Sequence, residues 1–302
     1  MAGDSSFAEI PEAGLFILPG GYVAEDGSTH REAELSPVTG KEEDLLGGAP
    51  PHACAASVIT SLLARCLKRV GSLSPVSHSL AGGLLTGDRD YLLLRLREMT
   101  FGPKVEAVWR CANPDCGKPM DVAFSLDELA FERKAAPERF FTRRIPSGEK
   151  EDGLIVEFRL PTGADQEALA TVVRVDEARA VNQLLARCVR RVGECSQPGE
   201  AFIKGLPDAA RKEIVAEIER CAPQVEIELD LVCPECQTSF SAEFDFTSFF
   251  LTEMKSNQRA LEREVHFLAW HYHWSEQEIL SLTRRKRQRY VTLLREELDR
   301  FG

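Results

Sequence analysis

Leu62-Leu63-Ala64-Arg65-Cys66-Leu67-Lys68-Arg69-Val70-Gly71 returns as Leu184-Leu185-Ala186-Arg187-Cys188-Val189-Arg190-Arg191-Val192-Gly193, identical at eight of ten positions and 122 residues downstream. Cys111 and Cys233 keep the same offset, and Cys116 and Cys236 are 120 apart. A nearly constant offset over so long a stretch marks a duplicated module rather than one recurring helix. Each copy then carries a cysteine pair, half of a four-ligand metal site.

The openings of the two halves also correspond. Leu18-Pro19-Gly20, Glu25-Asp26-Gly27, Ala33 to Leu35 and Thr39-Gly40-Lys41-Glu42-Glu43 are followed in the same order by Ile145-Pro146-Ser147-Gly148, Glu151-Asp152-Gly153, Val156 to Leu160 and Thr162-Gly163-Ala164-Asp165-Gln166-Glu167. The Pro/Gly breaks and Asp-Gly turns predict a hairpin. The acidic residues after Thr-Gly predict a helix start. The expected class is α+β: a tandem module of β-hairpin, two helices and zinc-ribbon-like hairpin at residues 14–132 and 141–250, with a helical module at 251–302. Residues 1–13 read as a loose lead-in and Lys134 to Arg139 as the linker.

In the first copy, Val58, Leu62, Cys66 and Val70 form an apolar stripe that predicts a helix over Ala55 to Val70, with Arg65, Lys68 and Arg69 turned away. Asp88 reads as the cap of a second helix, Arg89 to Met99. The second copy repeats this with Val181 to Val192, and with Asp208 opening Ala209 to Cys221. Both then switch to strand-like alternation, through Val105, Ala107 and Trp109, and through Val225, Ile227, Leu229 and Leu231, into the cysteine pairs.

The 302 residues are 43% hydrophobic and 28% charged, enough for a sizeable core. There is no apolar run of membrane-spanning length, and Met1 to Ile10 lacks the pattern of a signal peptide, so a cytoplasmic protein is expected. Net charge is −11, and it is uneven: residues 251–302 hold ten basic and eight acidic side chains, the remainder 27 and 40. An acidic body repels phosphate, which disfavours nucleic acid and suits protein partners.

Nine cysteines in a reducing compartment point to buried thiols or metal ligands rather than disulfides. Cys54, Cys66, Cys188, Cys195 and Cys221 stand alone in apolar or helical patterns and read as core. Cys233-Pro234-Glu235-Cys236 is a C-x2-C turn between strands, and Cys111-Ala112-Asn113-Pro114-Asp115-Cys116 is a looser C-x4-C. Neither hairpin has a second pair nearby. One structural zinc on Cys111, Cys116, Cys233 and Cys236 therefore requires the copies to face each other. Two vestigial knuckles, or a redox-active C-x2-C pair, are the alternatives at this level.

In the tail, Leu261, Val265, Leu268 and Tyr272 follow helical spacing, and Ser275-Glu276-Gln277-Glu278 has the form of a capping box. His266, His271 and His273 lack metal-ligand spacing and read as core or capping residues. Arg284-Arg285-Lys286-Arg287-Gln288-Arg289 reads as a solvated basic face. With Trp270 and Trp274 it forms a candidate partner-binding surface, for an acidic protein before DNA. No P-loop, dinucleotide turn, nucleophile elbow or paired-carboxylate motif is present, so no catalytic residue is assigned.

Leu18-Pro19-Gly20-Gly21-Tyr22, Thr39-Gly40-Lys41-Glu42-Glu43, Gly87-Asp88-Arg89-Asp90-Tyr91-Leu92-Leu93-Leu94-Arg95-Leu96-Arg97, and Thr100-Phe101-Gly102 before a cysteine pair resemble the T-even-phage-type baseplate protein family, found in phage tails and in tail-like contractile injection systems. The tail around Trp270-His271-Tyr272-His273-Trp274 resembles short helical proteins encoded beside that family. The resemblance implies a non-enzymatic hub assembly chaperone or component. It implies hub, spike or tape-measure proteins as partners, and a place in the producing cell's cytoplasm or in the particle. A zinc-dependent nucleic-acid-binding regulator is the rival reading.

Overall fold

The computed structural model describes residues 13–50, 53–129, 131, 137–146, 153–225 and 227–301. The expected lead-in before residue 13, most of the expected linker and the turn at 147–152 lie outside them.

The chain opens with a hairpin of β1 (Gly14–Val23) and β2 (Thr29–Leu35). Asp26 closes its turn by accepting the Ser28 N–H, and Gly27 takes φ +84°, the left-handed region open to glycine. The register shifts between Ile17 and Tyr22, where Pro19 lacks an N–H and Gly21 has φ +85°. Helices α1 (Gly40–Gly47) and α2 (Ala55–Cys66) follow; Thr39 and Glu42 form a reciprocal capping box on α1. The quoted stretch is not helical throughout. After Cys66 it extends into β3 (Leu67–Val70), which pairs with β2. The β-branched Val70 and the exposed Lys68 fit an edge strand, and the backbone bonds gained with β2 outweigh the helical stripe. Then come α3 (His78–Gly83), α4 (Thr86–Phe101), and the ribbon of β4 (Lys104–Arg110) and β5 (Pro119–Ser125).

The second half has β6 (Phe141–Ile145), β7 (Leu154–Phe158), α5 (Gly163–Val173), α6 (Glu177–Cys188), β8 (Val189–Val192), β9 (Cys195–Ser196), α7 (Glu200–Gly205), α8 (Asp208–Cys221), and a ribbon of β10 (Glu228–Val232) and β11 (Ser239–Glu243). Here too the expected helix Val181 to Val192 yields to strand after a cysteine. β8 meets β7 with the register of β3 on β2: Ala33↔Val70 and Glu34↔Arg69 in one, Val156↔Val192 and Glu157↔Arg191 in the other, each with a shift at the next residue.

The tail is α9 (Phe246–Tyr272), α10 (Glu276–Leu280) and α11 (Arg284–Phe301). α9 runs unbroken through residue 250, so the expected start of the tail at 251 falls inside a helix. His273, with φ +57°, ends α9, and the Ser275/Glu278 capping box opens α10.

The largest core gathers Leu18, Leu35, Leu62 and Leu92 with Ile227, Phe244, Phe250 and Met254, so the second ribbon and the start of α9 pack on the first half. A second core holds Phe158, Leu185, Ile203 and Ile214, and a small third one Leu268, Ile279 and Val291.

Asp88 is not a cap, because α4 already begins at Thr86. It is fully buried, and its carboxylate accepts Gly20 N–H at 2.7 Å and Gly21 N–H at 2.9 Å. These are the N–H groups that the β1 irregularity leaves without a strand partner. Burial pushes the Asp88 pKa up to about 6 against those two donated bonds.

Candidate metal centre

The tips of the two ribbons bring four thiols together. The Sγ atoms of Cys111, Cys116, Cys233 and Cys236 all lie within 4.8 Å of one another. Cys111 and Cys236 are 3.5 Å apart, Cys116 and Cys233 3.9 Å. A tetrahedral ion with sulfur ligands at about 2.3 Å places its sulfurs roughly 3.8 Å apart. A disulfide needs about 2.05 Å, so the arrangement is that of ligands and not of bridges.

Local backbone shapes each tip. Cys111 N–H bonds to Lys118 carbonyl and Cys233 N–H to Thr238 carbonyl, both at 3.0 Å, closing the turns. Directly after the second cysteine, Gly117 (φ +52°) and Gln237 (φ +59°) turn left-handed, reversing the chain around the sulfurs. A longer loop, C-x4-C, and a shorter one, C-x2-C, thus present equivalent thiols.

Beneath the thiols, Met120, Val122, Leu229, Leu231 and Phe240 form an apolar floor, extended by Trp109, Phe124 and Phe244 with ring centroids 5.1 to 5.6 Å apart. Across the seam Lys118 Nζ reaches Glu235 at 2.5 Å, and Asn113 Nδ2 lies 3.3 Å from Thr238 Oγ1 and 3.9 Å from Cys236 Sγ. Burial pushes the Cys111 thiol up to about 12, whereas bonds from Thr238 bring Cys236 down to about 6. Four converging thiols in one apolar pocket oppose joint ionisation, and a divalent cation reverses that balance because the thiolate is the ligand. The residues fit a four-sulfur metal site.

The model of the family described as T4 bacteriophage base plate protein matches residues 22–251. The chain belongs to that family. No curated protein and no solved structure matches it. Both ribbons and both cysteine pairs of this baseplate protein lie inside the matched span, and most of the tail lies outside. No helix among the described residues is long and apolar enough to cross a membrane.

The basic run of the baseplate protein is not one solvated face. Arg287 is fully buried, with its guanidinium 2.7 Å from Glu43, 3.0 Å from Glu264 and 2.8 Å from the Leu282 carbonyl. Arg284 is mostly buried; it bonds Asn257 at 3.0 Å and stacks over Phe101 at 4.9 Å. Arg285 is half-buried, while Lys286 and Arg289 are exposed. Burial itself removes Arg287 and most of Arg284 from any partner surface. Trp270 is 71% exposed; Trp274 is half-buried against Tyr272 and Tyr290.

Sequence reading missed Glu43 as the carboxylate that seats Arg287, 244 residues away, and Glu253, which holds Arg97 at 3.0 Å. Each looked like an ordinary surface acid. The Thr238 hydroxyl beside Cys236 carried no signal beyond its nearness to the C-x2-C turn.

Proposed function

We propose that this baseplate protein is a non-enzymatic assembly factor or component of a contractile-tail baseplate hub, acting by protein–protein interaction, and that a structural zinc on Cys111, Cys116, Cys233 and Cys236 joins its two halves. We also propose that the halves at 14–132 and 141–250 arose by duplication, with 251–302 as an appended module. The observation that carries the reading is the meeting of four thiols from ribbons about 120 residues apart in sequence. A metal there supplies charge neutralisation and a crosslink. Structural zinc sites in small peptides bind with about 10–16 kcal/mol, and that binding free energy acts as folding free energy. Family membership supplies the tail context, and hub, spike or tape-measure proteins are the proposed partners. The rival nucleic-acid regulator loses its main support with the burial of Arg287 and Arg284.

Two measurements test this. Metal analysis of the purified chain is expected to give one zinc per chain, and less than half an equivalent sinks the metal centre. Imaging tail particles made with and without this chain is expected to show hub assembly failing in its absence; normal particles in normal numbers would sink the assembly role.

A further inference from the structure

Three helical units in this chain share one layout: a long helix, a short helix, then a helix whose fourth residue after the junction is arginine. They are α2–α3–α4 with Arg89, α6–α7–α8 with Arg211 and α9–α10–α11 with Arg287. In each, that arginine's N–H bonds the carbonyl four residues back: Leu85, Pro207 and Thr283 respectively.

Two of the units grip a helix. Gly163 N–H bonds the Leu84 carbonyl and Leu85 bridges Thr162, so α5 lies against α2 and α3. Gly40 N–H bonds the Leu282 carbonyl and Thr283 bridges Thr39, so α1 lies against α9 and α10. Both gripped helices open Thr-Gly because the arginine comes close: a Cβ on Gly163 would meet Arg89 Nη1 at 1.9 Å, and one on Gly40 would meet Arg287 Nη1 at 3.0 Å. Both bring a carboxylate in the next turn, Glu43 to Arg287 and Glu167 to Thr60, the hydroxyl that also accepts Arg89 at 2.8 Å. Both bury a leucine six residues after the glycine, Leu46 and Leu169.

In the third unit α6 packs on α5, but among the described residues the Leu206 carbonyl holds no helix N-terminus in the way that the Leu84 and Leu282 carbonyls do. Arg211 donates to Asn182 Oδ1, at the position of Thr60, and pairs at 3.2 Å with Asp208 of its own helix, yet keeps 24% exposure where Arg287 has none. Val181 is 40% exposed where its counterpart Ile59 is 4%, and Phe202 is 40% exposed. Pro207 leaves the edge usable, since the bonds in the gripped pair come from its neighbours' positions: Leu84 carbonyl and Thr86 N–H there, Leu206 carbonyl and Asp208 N–H here.

We infer that the face of α6, α7 and the start of α8 is a docking site for a helix of a separate protein. That helix opens Thr-Gly, carries a carboxylate three or four residues after the glycine and a leucine six after it. Exposed Lys204 complements the carboxylate, as does Arg211 once it exchanges its exposed partner Asp208, and Val181 and Phe202 complement the leucine. A second copy of this chain is disfavoured as donor, because both of its Thr-Gly helices are already gripped, one over buried Arg89 and the other over buried Arg287. This deepens the assembly reading by naming a surface and a partner. Its test needs no particle, so the two fail separately.

The probe is a peptide of residues 159–173, constrained as a helix by a lactam on its solvent face and titrated into the full zinc-loaded chain by fluorescence anisotropy. Saturable one-to-one binding is expected, at least about tenfold weaker with V181D or R211A in the protein, or with G163V in the peptide. V181D alters an exposed residue, so the fold is retained. No binding at millimolar peptide, or binding indifferent to V181D and R211A, overturns the proposal. Dimerisation of the chain alone that V181D abolishes also overturns it, by assigning the face to a second copy.

Discussion

Replacing Arg287 with Met removes a buried cation and leaves Glu43, 3% exposed, with Arg284 at 3.7 Å as its remaining cation among the described residues. Removing one partner of a buried pair costs about 3–5 kcal/mol. Glu43 can limit that cost by taking a proton, which for an ordinary glutamate near pKa 4.3 requires roughly 3.7 kcal/mol at pH 7. The expected loss is therefore about 3–4 kcal/mol at pH 7. Glu264, 14% exposed, keeps some contact with water and adds little. At pH 5 the same protonation requires only about 1 kcal/mol, so the penalty should shrink by roughly 2.5 kcal/mol. The sign follows from linkage: Glu43's pKa is already raised by burial against the Arg287 charge, and without Arg287 it rises further. The folded variant then holds a proton that the unfolded chain lacks, and stability falls as pH rises through that window. Urea unfolding at several pH values reads this, with hydrogen exchange of α10 and α11 locating the loss. Adding Glu43→Gln to Arg287→Met should restore about 2 kcal/mol at pH 7. A variant within 0.5 kcal/mol of the parent at pH 7, or a penalty independent of pH, would refute the account.

Cys233→Ser should lower bound zinc below half an equivalent and loosen both ribbons, read by metal analysis and by exchange of β4 and β5 as well as β10 and β11. Gly163→Ala in the intact chain forces a methyl onto Arg89, which bonds Thr60, Ala81 and Ala56 at 2.8 to 3.1 Å; a loss of about 2–4 kcal/mol is expected in thermal or urea unfolding, against a small gain if the site were open. Asp88→Ala strands the Gly20 and Gly21 N–H groups and should cost about 2–4 kcal/mol. Asp88 and Asp165 should also act oppositely with pH. Asp88, raised to about 6, makes stability fall as pH rises from about 4 to 6. Asp165 is held near 2: burial works against this, but the Arg159 and Arg187 guanidiniums outweigh it. Its contribution is present above pH 4 and lost toward pH 2, so Asp165→Asn should flatten the acid limb of a stability–pH curve.

The capped helix starts at Thr39 and Ser275, the Asp-Gly turn and the alternation into each cysteine pair were legible in the sequence because they are local. Side chains within four residues of each other, and backbone preferences of Pro, Gly and Asp, settle them without reference to the rest of the chain. The repeat at an offset of about 122 residues was legible for a similar reason, as a property of the string itself. Local pattern misled where a distant strand competed for the same residues: Leu67–Val70 continues an apolar stripe, yet β2 takes it as a third strand. Tertiary structure alone decided which thiols meet, since Cys111 and Cys236 are 125 residues apart. It also decided that Arg287 is a buried keystone beneath α1 rather than part of a solvated basic face, and that Asp88 holds a hairpin rather than capping a helix. Charge and burial at those positions depend on partners that only folding brings near, so no window of sequence contains them.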